Sequence, residues 1–256
     1  MSAIPAAWLT IAVVAVGAAL AGFAEGGAEV DFPLLAMSLW AWTLPPPLAA
    51  PLAAFGALIG AVVGFFPLRG GFDLRRTAPF VVGGALGAPI GVFLLHNADP
   101  LRFRLAVGAL LTIDALFALA FRDSPRAKGG GLGADAFVGV VGGAIGGLCG
   151  LVAAAPAIWT RLCGWKREPR RATVRAFAIA VAIVTLAAYA GAGVVVPGDL
   201  RLFAVVAPVA LVASFLGVRT VSKTGAQRLG RGALLLTLAS GAALLVVAGR
   251  TWWWGR

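Results

Sequence analysis

The chain has 256 residues, of which 61% are hydrophobic and only 12% are charged, and its mean hydropathy is +0.96. Soluble domains of this size do not have such a composition, so we expect a multi-pass membrane protein without a sizeable soluble domain. The net charge of +11 comes from lysines and arginines in short loops between apolar segments, which indicates membrane topology and argues against nucleic-acid binding.

Ten apolar segments follow one another along the chain. The second and the seventh are too short to cross an undistorted bilayer as helices. Glycine and proline separate several of them, as in Pro45-Pro46-Pro47. The segments cover residues 6–24, 33–44, 48–66, 77–95, 101–121, 136–148, 156–164, 176–195, 202–220 and 229–249. The expected fold is therefore all-α, with broken or short helices among the membrane segments.

The segments divide into two sets of five, which predicts an internal repeat. Matching features recur in the same order: Pro33 and Pro156, Pro46 and Pro169, and the Asp-Leu-Arg motifs at 73–75 and 199–201. The predicted units are a first repeat at 1–121, a flexible linker at 122–135 and a second repeat at 136–256. Because five is an odd number of crossings, we expect the second repeat to be inverted in the membrane.

The distribution of basic residues predicts the orientation. When the two short segments are counted as crossings and the N-terminus is placed outside, most lysines and arginines fall on the inner side. Counting the short segments as re-entrant instead divides the positive charges almost evenly. The positive-inside rule therefore favours ten crossings with both termini outside.

Two glycine-rich stretches, at 22–33 and 146–156, are predicted to interrupt the helices at corresponding places in the two repeats. Unwound backbone inside a bilayer must be packed in protein or line a wet cavity, and paired breaks in inverted repeats indicate a transport site near the midplane. Pro33 and Pro156 fit the first turn of the helix that follows each break. The N–H groups and positive dipole ends of these helices would face the centre and suit an anion.

The run Gly22-Phe23-Ala24-Glu25-Gly26-Gly27 with Pro33, and the run Gly146-Gly147-Leu148-Cys149-Gly150 with Pro156, resemble the duplicated glycine-rich signature of the sulfite exporter TauE/SafE family. This resemblance implies a permease of the cell inner membrane that moves sulfite, an organosulfonate or a related sulfur-containing anion, driven by a gradient. The chain contains no P-loop, and neither a cofactor nor a metal is expected.

The candidate residues follow from the breaks and from the polar side chains near them. Arg161 has the geometry to bind a sulfonate through two hydrogen bonds, although it also adjoins the basic stretch that follows. The predicted substrate-binding residues are Gly26, Gly27, Trp40, Gly147, Cys149, Gly150, Thr160 and Arg161.

Acidic residues depart from the family signature, which is usually glycine and apolar residues. Glu25, Glu29 and Asp31 lie within the first stretch, and Asp114 lies in the middle of segment 101–121. Ionised carboxylates would repel an anion, so we hypothesise that one of these acids takes up a proton when the anion binds. The alternative is that they cap the short helices or face water.

Two further functions stay open. Glu25, Glu29 and Asp31 together with Cys149 suggest a cation or metal permease. Cys149 and Cys163 are the sole motive for a membrane enzyme or assembly factor, and no nucleophile with an adjacent base supports it. We therefore expect a transporter and not an enzyme, with the lipid bilayer and a small anion as its partners.

Overall fold

The computed structural model describes residues 3–28, 30–65, 72–120 and 130–254. In these ranges the chain forms ten α-helices, of which eight are long and apolar enough to cross a membrane, so the predicted all-α polytopic fold is confirmed. The helices are α1 (Ala3–Ala28), α2 (Phe32–Thr43), α3 (Pro46–Phe65), α4 (Leu74–His96), α5 (Pro100–Ala120), α6 (Leu132–Cys149), α7 (Ala154–Leu162), α8 (Arg167–Gly191), α9 (Leu200–Thr220) and α10 (Lys223–Trp254).

The glycine-rich signatures are mostly helical, and the prediction that their glycines are unwound is wrong. α1 continues to Ala28 and α6 to Cys149, so the breaks follow directly after the glycines. The reason is helix packing. A Cβ atom at Gly26 would overlap with the Ser214 carbonyl of α9, and one at Gly147 would overlap with the Ala88 carbonyl of α4. Such close contacts offset the low helix propensity of glycine.

The residues between the predicted segments 156–164 and 176–195 are expected to form a basic loop over 166–175, and this expectation is wrong, because α8 already begins at Arg167. Glu168 and Pro169 occupy its first turn, where an acidic side chain suits the helix dipole and a proline loses no hydrogen bond. Arg175 therefore lies inside α8. The predicted linker at 122–135 falls mainly on residues outside the described ones, and its last part, from Leu132, belongs to α6.

Each predicted half contributes one helix to each of two glycine-rich helix pairs. α4 packs along α6, and α1 packs along α9. In the first pair Gly83 faces Ala136 and Gly91 faces Ala144, so α4 and α6 run in the same direction. In the second pair the contacts advance along both helices in the same order, which makes α1 and α9 parallel as well.

The helix α3 is parallel to α1 and α9. Its Phe55 packs edge-on against Phe203 near the start of α9, whereas its Gly60, further along, faces Glu25 near the end of α1. Because α1 and α3 run in the same direction, α2 carries the chain back between them. The short helix α2 therefore runs antiparallel to α1 and to α3.

The helix α8 is parallel to α4 and α6. Thr77 near the start of α4 donates a hydrogen bond to Thr173 near the start of α8, and Gly84 faces Val181 one step further along both helices. The short helix α7 therefore returns the chain between α6 and α8.

The start of α10 lies beside the end of α1, where Gly230 is near Ala28. The helix α5 packs antiparallel on α10, because Gly108 contacts Leu244 whereas Thr112, further along α5, contacts Gly241.

These directions bring the ends of α1, α3, α5, α7 and α9 to one face of the bundle, where α2, α4, α6, α8 and α10 begin. We call this the basic face. Its described basic residues are Arg75, Arg76, Arg161, Lys166, Arg167, Arg170, Arg171, Arg219, Arg228 and Arg231. The opposite face carries Arg102, Arg104, Arg201 and Arg250.

Candidate functional site

A small pocket lies where the two breaks meet. Residues 31–34 of the first break and 151–154 of the second line it, together with Glu25, Ala57 of α3 and Ala178 of α8. Its volume of about 20 Å³ is enough for about one water molecule. The pocket therefore joins the first and second halves of the chain in the interior of the bundle.

The helices α2 and α7 both begin at this pocket. Their N-cap residues are Asp31 and Ala153, and neither helix receives a hydrogen bond from the side chain of its N-cap residue. The first N–H groups of a helix have no partner within the helix, and its N-terminus carries a partial positive charge. Two helix N-termini meet at this pocket, and their partial positive charges favour a negatively charged ligand there.

A buried ion pair links the pocket to α8. Nη1 of Arg175 lies 3.2 Å from Oε1 of Glu25 and donates a second hydrogen bond to the Gly60 carbonyl at 2.9 Å. The side chains of Arg175 and Glu25 are only 12% and 5% exposed. The other carboxylate oxygen of Glu25, Oε2, is buried and has no hydrogen-bond partner among the described residues.

Glycines on α3 provide the space for this pair. A Cβ atom at Gly60 would overlap with the Glu25 carboxylate, and one at Gly64 would overlap with the Arg175 guanidinium. Any larger residue at either position would push the two charged groups aside. The sequence of α3 is therefore fitted to the ion pair as well as to helix packing.

A much larger cavity, of about 800 Å³, adjoins the small pocket at the basic face. Asp31 and Leu34 line both spaces. The arginines that line the cavity outnumber the acids, which gives it a positive potential suited to attracting anions. Its charged residues are Arg161, Arg167, Arg170, Arg171, Arg231, Asp31, Asp114 and Glu168.

Arg161 lies among the acids at the inner end of this cavity. Its guanidinium interacts electrostatically with Asp31 and with Asp114, which comes from α5 and is only 8% exposed. Of the residues predicted to bind substrate, Arg161 lines this large cavity. Of the acids predicted to couple protons, Glu25 and Asp31 line the small pocket, and Asp31 and Asp114 line the large cavity. Glu29 lies outside the described residues.

The predicted glycines take part in packing. Gly26 and Gly27 face α9, and Gly147 faces α4. Gly150 ends α6 in the left-handed conformation with φ of 76°, and a Cβ atom there would lie 2.8 Å from the Ala50 carbonyl of α3. Glycine suits that position because it adopts positive φ without strain. A role of these residues in substrate binding stays a prediction.

The three remaining candidates are fully buried and use their polar atoms inside the protein. Cys149 Sγ lies 3.2 Å from the Ile145 carbonyl, Thr160 donates to the Pro156 carbonyl at 2.7 Å, and Trp40 Nε1 donates to the Val13 carbonyl at 3.3 Å. The last two hydrogen bonds hold side chains on α7 and α2, the two short helices. Their part in binding likewise stays a prediction.

The sequence does not single out Arg175, because this residue stands at the end of the basic stretch 166–175. The useful signal was the pair Glu168-Pro169, which is typical of the first turn of a helix. It places Arg175 two turns inside α8. An arginine at that depth in an apolar helix requires a buried partner.

Short helices that begin at a shared site inside a bundle of apolar helices are a feature of many membrane transporters. The sequence matches that of one transporter family, the sulfite exporter TauE/SafE family, over residues 8–244. The chain belongs to this family, as its resemblance to the glycine-rich signature predicted. No curated protein and no solved structure gives a significant match.

Proposed function

We propose that the protein is a secondary transporter of a small sulfur-containing anion such as sulfite or an organosulfonate. The observation that carries this proposal is the meeting of two helix N-termini, without side-chain caps, at a pocket that adjoins an arginine-rich cavity. The family supports the same class of substrate. We place the protein in the cell inner membrane, with the basic face inside and both termini outside.

In this proposal the substrate enters the large cavity and then binds at the small pocket. Arg161 and the neighbouring arginines would concentrate the anion at the basic face. A pocket of about 20 Å³ is too small for sulfite, so binding requires α2 and α7 to move apart.

We further propose that the two halves are inverted repeats around this site. The packing of α1 on α9 and of α4 on α6 supports a two-fold relation, because corresponding helices make corresponding contacts. The two Asp-Leu-Arg motifs also occupy equivalent places, since Asp73 is the N-cap of α4 and Asp199 is the N-cap of α9. Inversion would let the site open to either side by similar movements of either half.

Proton coupling is the remaining part of the proposal. Glu25, Asp31 and Asp114 line the proposed path, and ionised acids there would repel an anion. Protonation of one of them would remove that repulsion. If Glu25→Gln and Glu29→Gln both leave the pH dependence of transport unchanged, a coupling role for these two residues is excluded.

A ligand screen on the purified protein tests the substrate class. Sulfite, thiosulfate, sulfoacetate and taurine are compared with divalent cations, with chloride at the same ionic strength as the control. A bound anion stabilises the folded protein, by about 2.7 kcal/mol at 100 times its dissociation constant. Stabilisation by divalent cations alone would contradict the proposal and favour a cation or metal permease using the acids and Cys149.

Matched arginine variants test the path. We expect Arg161→Gln to weaken anion binding, because it removes a positive charge from the cavity, whereas Arg250→Gln on the opposite face leaves binding unchanged. Equal affinities of the two variants for sulfite would argue against entry through the large cavity.

A further inference from the structure

We propose that Arg175 is the anion-binding side chain of the small pocket, and that the anion displaces Glu25 from it while Glu25 takes up a proton. This inference rests on the proposed transport function and specifies how substrate and proton are linked. The ion pair Arg175–Glu25 breaks and a pair between Arg175 and the anion forms. The proton, taken from water, forms the O–H bond of the Glu25 carboxylic acid.

Arg175 does not line the pocket itself, and its contact with the pocket runs through Glu25, so an anion that takes the place of the Glu25 carboxylate would meet Arg175. Glu25 lines the pocket and lies 3.2 Å from the Arg175 guanidinium. Ala178, which also lines the pocket, is three residues from Arg175 and so lies on the same face of α8. Glu25 is thus an internal anion that is bound to the Arg175 guanidinium. The planar set of N–H donors of this guanidinium also matches a sulfonate or sulfite group.

Charge balance in a buried site explains why the exchange needs a proton. With Glu25 ionised, the pair carries no net charge. Adding a monovalent anion would leave an uncompensated negative charge in a region of low dielectric constant, at a large cost in free energy. Protonation of Glu25 restores the neutral sum, because the anion then pairs with Arg175 alone.

The unpaired oxygen of Glu25 fits the same exchange. Oε2 is buried and has no hydrogen-bond partner among the described residues, which is costly for an ionised carboxylate. In the protonated acid this oxygen can carry the proton and becomes a donor. An oxygen of the bound anion is then the acceptor that the described conformation lacks.

Among the described residues, the ionisable groups near Glu25 are few, and we expect Glu25 to take up the first proton when an anion binds. Arg175 faces it from α8 and Asp31 interacts with it from the start of α2, while α3 and α9 present Gly60 and Ser214 at this level. Asp31 is partly exposed and is attracted by Arg175 and also by Arg161. It is therefore the candidate for a second proton when the anion is divalent.

Binding experiments on the purified full-length protein test the exchange. Sulfite and methanesulfonate are titrated in buffers of different ionisation enthalpy, and the proton uptake is corrected for protonation of the anion itself. We expect uptake of about one proton for each methanesulfonate bound, so that its affinity falls about tenfold per pH unit where free Glu25 is ionised. In Glu25→Gln we expect binding without proton uptake and with an affinity independent of pH.

Binding to the unaltered protein without proton uptake would overturn this inference and leave the transport proposal intact. Proton uptake that persists in Glu25→Gln would also overturn it. If neither anion binds to the unaltered protein, both the inference and the proposed function are overturned.

Arginine variants separate binding from folding. We expect Arg175→Gln to reduce affinity more than tenfold and Arg175→Lys to restore part of it, because lysine keeps the charge without the planar donor set. The double variant Glu25→Gln with Arg175→Gln removes both charges and keeps two polar side chains, so it should fold and fail to bind. Arg104→Gln on the opposite face is the control. Full affinity in the folded double variant would contradict the assignment of Arg175.

Discussion

Tyr189 shows how a single residue supports the second break. Its hydroxyl group is buried, donates to the Gly147 carbonyl at 2.8 Å and lies 3.2 Å from the Gly146 carbonyl. Both carbonyls belong to the last turn of α6, where a helix leaves backbone oxygens without intrahelical partners. The Gly146 carbonyl accepts the Gly150 N–H at 2.7 Å, so Tyr189 matters most for the Gly147 carbonyl. Tyr189 on α8 thus completes the end of α6 just before the chain turns into the small pocket.

We predict that Tyr189→Phe lowers the free energy of unfolding by about 1 to 3 kcal/mol, because it removes the hydrogen bond to the buried Gly147 carbonyl oxygen. Thr185→Val, one turn earlier on α8, is the matched control. The Thr185 hydroxyl is buried with no hydrogen-bond partner among the described residues, so its removal should be neutral or stabilising. Unfolding in detergent measures both variants, and equal losses of stability would argue against the role of Tyr189.

At the scale of elements, glycine on α4 and α6 brings two parallel helices into backbone contact. Gly83, Gly87 and Gly91 of α4 face the backbone of α6, and Gly139 and Gly143 of α6 face the backbone of α4 in return. Close approach of this kind favours van der Waals packing, which stabilises helix pairs in a membrane. The pair is therefore expected to behave as one rigid unit when α7 moves.

We predict that Gly143→Ala is destabilising by about 1 to 3 kcal/mol, because its Cβ atom would overlap with the Gly84 carbonyl and force the helices apart. Gly133→Ala on the same helix is the control. A Cβ atom there has no neighbour within 4 Å, so the change should stabilise α6 by up to about 1 kcal/mol. Thermal unfolding of the purified variants distinguishes them, and a harmless Gly143→Ala would contradict the packing explanation.

For the whole molecule, the two short helices decide the arrangement of charge. Because α2 and α7 each reverse the chain direction, the basic residues gather on one face and the few others lie on the opposite one. Without those reversals, the same sequence would divide its positive charges almost evenly. The positive-inside rule therefore links the short helices to the proposed orientation.

Labelling in intact cells tests this orientation. In a variant without Cys149 and Cys163, we predict that Gly198→Cys, on the exposed connection after α8, reacts with a membrane-impermeant maleimide added outside. Arg228→Cys, exposed on the basic face, should react only after the cells are opened. The reverse pattern would place both termini inside and contradict the proposed topology.

Much of this architecture could be predicted from the sequence, because apolar segments and prolines mark the helices and their ends. The positions of Pro33 and Pro156 indicate correctly where the two short helices begin. The glycines were harder to interpret, since a helix that ends and a helix that packs closely can have the same glycine pattern. Gly26 is helical because of Ser214, a residue distant in sequence, and local patterns carry no information about such a partner.

In the site, too, local sequence predicts some features and distant partners determine others. Acids in an apolar segment indicated that Glu25 was functionally or structurally important, but its partner could not be read from the sequence. Arg175 is one of many arginines in a basic stretch, and its depth in the bundle depends on where α8 begins and on the space that Gly60 and Gly64 leave. Pairing across 150 residues is set by the fold.

The packing of helices from one half against helices from the other has a consequence for biosynthesis. Helix α1 packs on α9, and Glu25 pairs with Arg175, which is 150 residues later in the chain. At roughly 5 to 20 residues per second, a ribosome needs about 8 to 30 s to make that stretch. During this interval a newly inserted α1 has an acid within the membrane and a glycine face without its partner, so the first half of the nascent chain depends on the insertion machinery until α8 and α9 arrive.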